Sequence, residues 1–143
     1  MRTLALLCLF LLSCAAPYSL SNDTLRIQTA EQEIPLTIEI AQTSDERHQG
    51  LSHRTHLKEN HGMLFIFEEE KMLTFWMKDT LIPLDIFFIG KDSKVVDIQT
   101  MQSCLEEPCP FYISKEKAQY ALEVNAGFAL QHKIIIGDTV KWA

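Results

Sequence analysis

What most constrains this chain is a succession of short apolar runs of period two, each broken by a turn signal within a few residues. IPLTIEI, residues 34–40, alternates apolar and polar side chains, so a strand there buries one face and leaves the other wet. Further strand candidates stand at 63–67, 73–77, 84–89 and 95–101, separated by acidic or Gly-Lys-Asp turn signals. DIFFI, residues 85–89, is apolar on both faces after its aspartate, as an interior strand requires. AQYALEV, residues 118–124, alternates again, and residues 134–142 read as two strands around Gly137-Asp138. Helical signals are brief. Thr43 and Glu46 form a capping box with Gly50 as the stop, and one helical turn fits residues 128–132. Many short strands with turns between them predict one mainly β domain, a sandwich or barrel.

The first residues read differently. Met1-Arg2 gives a positive start, and residues 4–12 are mostly apolar, well short of the roughly 20 residues of a membrane-spanning helix. This fits a signal peptide over residues 1–13. Leu11-Leu12-Ser13-Cys14 resembles the bacterial lipobox, in which the cysteine becomes the lipidated first residue. Residues 14–24 then form the lipidated N-terminus and a polar tether, and residues 25–143 the domain. The expected location is the bacterial cell envelope, facing the periplasm, with the membrane as a partner through lipid on Cys14. Ala15 after the cysteine leans towards the outer membrane in a Gram-negative cell. The alternative is cleavage after Ala16 and secretion as a soluble protein.

The net charge of the whole chain is −6; removing Arg2 leaves 12 basic against 19 acidic residues, a mature charge near −7. A domain this acidic, with no basic stripe, is a poor partner for nucleic acid, whose phosphates call for lysine and arginine. Cys8 leaves with the signal, and Cys104 and Cys109 remain in CLEEPC. Outside the cytoplasm a pair this close predicts a disulfide, contributing about 2 kcal/mol by the chain-entropy estimate and shaping a local turn. Zinc there would need two more ligands, and only Glu106 and Glu107 are local. His48, His53, His56 and His61 lie in polar, turn-rich sequence without single-face spacing, so no metal and no cofactor is expected. Ser52 beside His53 makes no triad by adjacency, and neither a G-x-S-x-G elbow nor a phosphate-binding glycine loop occurs.

FWMKDTLIPLD, residues 75–85, presses ionic groups into apolar sequence. With ERHQGLSHR (46–54), GMLFIF (62–67), ALEVNAG (121–127) and IIIGD (134–138), in that order, it resembles a bacterial and archaeal family known as domain of unknown function 192. The resemblance covers residues 34–143. It implies a jelly-roll-like sandwich with one or two short helices, and it brings no activity, cofactor or substrate with it. The family usually has asparagine where this chain has Asp79. An amide can neither gain nor lose a proton near neutral pH, so position 79 is better suited to accepting a hydrogen bond than to catalysis.

Physically, residues 75–77 finish a strand, Lys78-Asp79-Thr80 make a corner, and Pro83 extends Ile82 into the next strand, with Asp85 at its start. The block is expected to be a rigid hairpin with Phe75 and Trp76 buried. Its polar tip is either a structural ion-pair network or one wall of a small polar cleft. Arg47 and Arg54 could answer Asp85 or Glu123 with a bidentate fork, Arg47 and a buried Glu123 being the favoured pair. The candidate cleft residues are Arg47, Lys78, Asp79, Thr80, Asp85 and Glu123. The best-supported expectation is a lipid-anchored envelope module that is non-catalytic and binds a small polar ligand or an envelope protein. Alternatives are a hydrolase acting on an envelope glycan through two of Asp79, Asp85 and Glu123, or a purely structural lipoprotein.

Overall fold

The computed structural model describes residues 23–142. The expected signal peptide, Cys14 and nearly all of the expected tether lie outside the described residues. The chain runs β1 (Asp23–Gln28), β2 (Glu33–Ala41), α1 (Ser44–Gln49), β3 (His61–Lys71), β4 (Thr74–Trp76), β5 (Leu84–Ile89) and β6 (Val95–Met101). It continues with β7 (Phe111–Ile113), β8 (Ala118–Asn125), α2 (Phe128–Gln131) and β9 (Thr139–Trp142). Seven strands make one sheet in the order β6-β5-β8-β3-β2-β1-β9, and β4 pairs with β7 in a separate ribbon. Every pairing is antiparallel except β2 with β3, where α1 lies in the connection that a parallel pair needs.

The sheet curls until its two edges meet. Val95 donates its backbone N–H to Asp138 O, Gly137 donates to Val95 O, and Val140 donates to Ser93 O, tying the start of β6 to the turn before β9. Inside the curl, Leu25, Ile27, Leu36, Phe87, Leu122 and Val140 pack in one core, closed by Phe128 of α2. On the other face of β3, β5 and β8, Phe65, Leu84, Ile86 and Phe88 pack under Leu73 and Met77 in a second core. The result is a mainly β, single-domain, sandwich-like fold with two short helices. β5 is buried along its whole length, as an apolar strand between two neighbours should be.

α1 begins as its capping box requires, with Thr43 Oγ1 accepting from Glu46 N and the Glu46 carboxylate accepting from Thr43 N. Gly50 ends it at φ 47°, a conformation that glycine adopts without penalty. Other expectations need correction. FWMKDTLIPLD is not a hairpin, because β4 pairs with β7 and β5 pairs with β6 and β8. Residues 134–136 form no strand, and only β9 follows them. β1 begins within the expected tether, and β7 rises from the irregular stretch around the cysteines. β7 is held by β4, distant in sequence, which local patterning does not reveal, whereas β1 pairs with the adjacent β2 as well as with the distant β9.

Candidate functional site

α1 and the turn after it fold over the outer face of β3. Between them and β4 lies a cleft of about 280 Å³. Phe65 and Phe67 of β3 and Phe75 and Trp76 of β4 form its walls. Period two puts Phe65 and Phe67 on one face of β3, a signal that the order of residues in GMLFIF carries. Arg47 of α1, Lys78 and Thr80 of the corner, and Glu123 of β8 complete the lining.

Glu123 is the unusual member. It sits in mid-sheet, opposite Met63 on one side and Ile86 on the other, and is 4% exposed. Among the described residues nothing donates a hydrogen bond to its carboxyl or pairs with it. Burial pushes its pKa up from 4.5 to about 8, so the group is neutral at pH 7. Two other buried acids behave otherwise. Asp85 accepts from Thr100 Oγ1 at 2.7 Å and from Ala129 N at 3.0 Å, capping α2, whose Gly127 has no side chain to do so. Asp97 accepts from Ile98 N, Lys115 N and Gln99 Nε2. Those two acids are structural, and Glu123 has no such role.

Arg47 and Glu123 both line the cleft but do not pair. Arg47 Nη1 instead donates to the carbonyls of Gln42 and, at 3.0 Å, of Ile66, and its guanidinium lies 4.9 Å over the Phe67 ring. Arg54 does use a bidentate fork, towards Glu39 and away from the cleft, and the hydrogen bond raises its pKa. Lys78 pairs with Glu107 in the disulfide loop; the hydrogen bond between them raises the Lys78 pKa and lowers that of Glu107. Both ends of that pair are solvent-exposed, so it positions more than it stabilises.

Of the six candidate residues, then, the cleft gathers Arg47, Lys78, Thr80 and Glu123. Asp79 and Asp85 lie outside it. Opposite residues on paired strands share a face, so Asp85, facing Val124, and Glu123, facing Ile86, point to opposite sides of the sheet. Asp79 takes φ 57°, the left-handed region that aspartate and asparagine tolerate best among residues with a side chain. Its N–H donates to Cys104 O, and its carbonyl accepts from His53 N. The position needs that backbone shape, and its carboxylate accepts no hydrogen bond among the described residues. Trp76 also departs from expectation. It is 39% exposed and stacks on the exposed Phe111, whereas Phe75 turns inward against Phe65, Phe67 and Phe88. Cys104 and Cys109 are joined, as expected, and Cys104 is the strand-like partner of the corner at both Lys78 and Thr80.

The sequence profile of DUF192, described as an uncharacterised ACR family, matches residues 25–142. The chain belongs to this family. A UPF0127 protein of Pyrococcus abyssi is 30% identical over 84 residues, which are 57% of this chain and 68% of that protein. Among solved structures, a candidate transcription regulator from Sinorhizobium meliloti superposes with a TM-score of 0.80 at 33% identity, covering 87% of this chain and 95% of that one. A protein of unknown function from Novosphingobium aromaticivorans gives 0.77 at 33% identity, covering 83% and 84%. The DUF192 match begins at β1, inside the curled sheet, and ends with β9. Among the described residues no helix is long and apolar enough to cross a membrane, and no three His, Cys, Asp or Glu side chains gather as a metal would need.

Proposed function

We propose that this DUF192 protein is a non-catalytic binding module that takes a small polar ligand into the cleft between α1, β3 and β4. One observation carries the reading: Glu123 is buried, lines the cleft and has no partner among the described residues. Among the described residues no fully buried side-chain oxygen lacks a partner, so the Glu123 carboxyl opens onto the cleft, where a ligand can supply the hydrogen bonds that the protein does not. The volume sits just below the usual range for ligand pockets, which suits a ligand of one small unit. Lipid on Cys14 would hold the module at the envelope, as the Leu-Leu-Ser-Cys sequence suggests. The regulator description of the Sinorhizobium relative is not carried over, because a mature charge near −7 suits nucleic acid poorly.

The test is a thermal-shift screen of the purified protein against small polar metabolites, in parallel with Glu123→Ala. A ligand in this cleft raises the melting temperature of the parent and not of the variant. Hits that stabilise both equally would place binding elsewhere and sink the reading.

One observation favours a second reading, a carboxylate-dependent hydrolase. A carboxyl kept neutral to about pH 8 is suited to general-acid work. Among the described residues Glu123 is the one carboxyl lining the cleft, so a hydrolytic partner acid would have to come with the substrate or from a nucleophile of another kind. Release of product from envelope glycan fragments, abolished in Glu123→Gln, would favour this reading over simple binding.

A further inference from the structure

We propose that the ligand is a small zwitterion, with an ammonium group seated against Glu123 and an anionic group answered by Arg47 and Lys78; this rests on the binding reading above. Three features of the cleft point the same way. First, Glu123 is 4% exposed as a residue, and its carboxyl, which opens onto the cleft, has no partner among the described residues. A cation completes it better than a neutral group, since the charged form gains an ion pair and charge-assisted hydrogen bonds together. Second, the walls include the rings of Phe65, Phe67, Phe75 and Trp76, and this aromatic surface already holds cations: Arg47 lies 4.9 Å and Lys71 5.5 Å over Phe67, and Lys78 lies 5.5 Å over Trp76.

Third, the remaining lining carries the opposite preference. The charged and titratable groups facing the cleft besides Glu123 are Arg47 and His48 of α1 and Lys78 of the corner. Both Arg47 hydrogen bonds run through Nη1, leaving Nε and Nη2 without one among the described residues. A bare amine would bring no anion to answer Arg47, and Lys78 already shares its charge with Glu107; a bare acid would leave Glu123 unanswered. Discrimination of this kind works by what it rejects as much as by what it holds. At about 280 Å³ the space fits a molecule the size of a simple amino acid.

The proton balance is specific. Free Glu123 is neutral at pH 7, and seating an ammonium leaves it a carboxylate. The O–H bond breaks, and the proton passes to the buffer. Binding should therefore release close to one proton per ligand and should tighten as pH rises towards 8.

Calorimetry of the full chain at pH 7, in two buffers of different protonation enthalpy, measures that count directly. The probes are glycine, β-alanine and γ-aminobutyrate, with propionate, propylamine and glucose as controls. We expect at least one zwitterion to bind tenfold or more tighter than propionate or propylamine, with proton release. Glu123→Gln should lose tenfold or more in affinity together with the release. Lys78→Gln should bring propylamine to within a few-fold of β-alanine. Glucose or propionate binding as tightly as every zwitterion, or zwitterions binding with no proton released, overturns the inference and leaves the cleft a binding site. The same calorimetric response from Glu123→Gln as from the parent also overturns it. Silence from every probe counts against the zwitterion; the wider thermal-shift screen then decides separately whether the cleft binds anything.

Discussion

Glu123 sets a pH dependence that can be read without any ligand. Its folded pKa of about 8 lies above the ordinary 4.5, so between those values the folded chain binds more protons than the unfolded one. Stability must then fall as pH rises across that window. At pH 7 the loss from this residue is about 2–3 kcal/mol, taking the shift as an order of magnitude. Glu123→Gln should be more stable than the parent at pH 7 by up to that amount, with the advantage vanishing near pH 4.5. Denaturant melts at the two pH values check it, and an unchanged difference between them would mean that Glu123 is not held neutral. The two aromatic neighbours should separate just as clearly. Phe75 makes edge-to-face contacts with Phe65, Phe67 and Phe88, at centroid distances of 5.1, 6.2 and 5.9 Å, and Phe75→Ala should cost about 3 kcal/mol or more. Trp76 is covered on the surface by Phe111 and Lys78, and Trp76→Ala should cost only about 1 kcal/mol. Equal losses from the two variants would contradict this assignment of faces.

At the level of elements, the β3–β8 pairing holds Glu123 in place, and Gly62 permits its closeness. A Cβ on Gly62 would stand 2.6 Å from the backbone O of Glu123 and 3.0 Å from Val124 Cγ1. Gly62→Ala must therefore push β8 away, at a cost of about 1–3 kcal/mol, and should weaken ligand binding in the same variant. A melt matching the parent would show that the strands have more room than this. The corner depends on a second element. Cys104 O accepts the Asp79 N–H at 3.0 Å, and the disulfide to Cys109 fixes the loop that offers it. Replacing both cysteines by serine should lower stability by about 2 kcal/mol. It should also speed hydrogen exchange at the Asp79 amide, while the amides of β5 stay protected. Protection at Asp79 that survives the double replacement would rule out the loop as its support.

For the whole molecule, the described domain is an acidic, two-core β fold, and the proposed lipid on Cys14 is open to a direct test. Cys14→Ser should move the protein from the membrane to the soluble fraction without changing its melting temperature. Membrane association that persists in that variant rules out the lipid anchor. Asp79→Asn provides a companion test of fold against chemistry. Asparagine tolerates the left-handed backbone at φ 57°, so the melt and ligand binding should both be preserved. Loss of binding with the fold intact would assign the Asp79 carboxylate a role that its geometry does not suggest.

The short apolar runs determined β2, β5, β6 and β8 almost to the residue, and the Thr43–Glu46 box determined α1, because these features depend on neighbours along the chain. The family resemblance and the cysteine pair were legible for the same reason: both are statements about local order. Tertiary structure alone decided the rest. It placed β4 beside β7 instead of β5, brought Cys104 beside Lys78 and Thr80, and paired Arg54 with Glu39. Phe75 and Trp76 were expected to be buried together, but pleating sends adjacent side chains to opposite faces, and only the ribbon's neighbours fix which face is wet. Asp85 and Glu123 looked alike as acids in apolar strands. Register set them on opposite faces, where α2 offers Asp85 a backbone N–H and the cleft offers Glu123 no donor among the described residues. Whether a buried charge is satisfied depends on which distant groups the fold brings within hydrogen-bond reach, and that pairing is not written in local sequence.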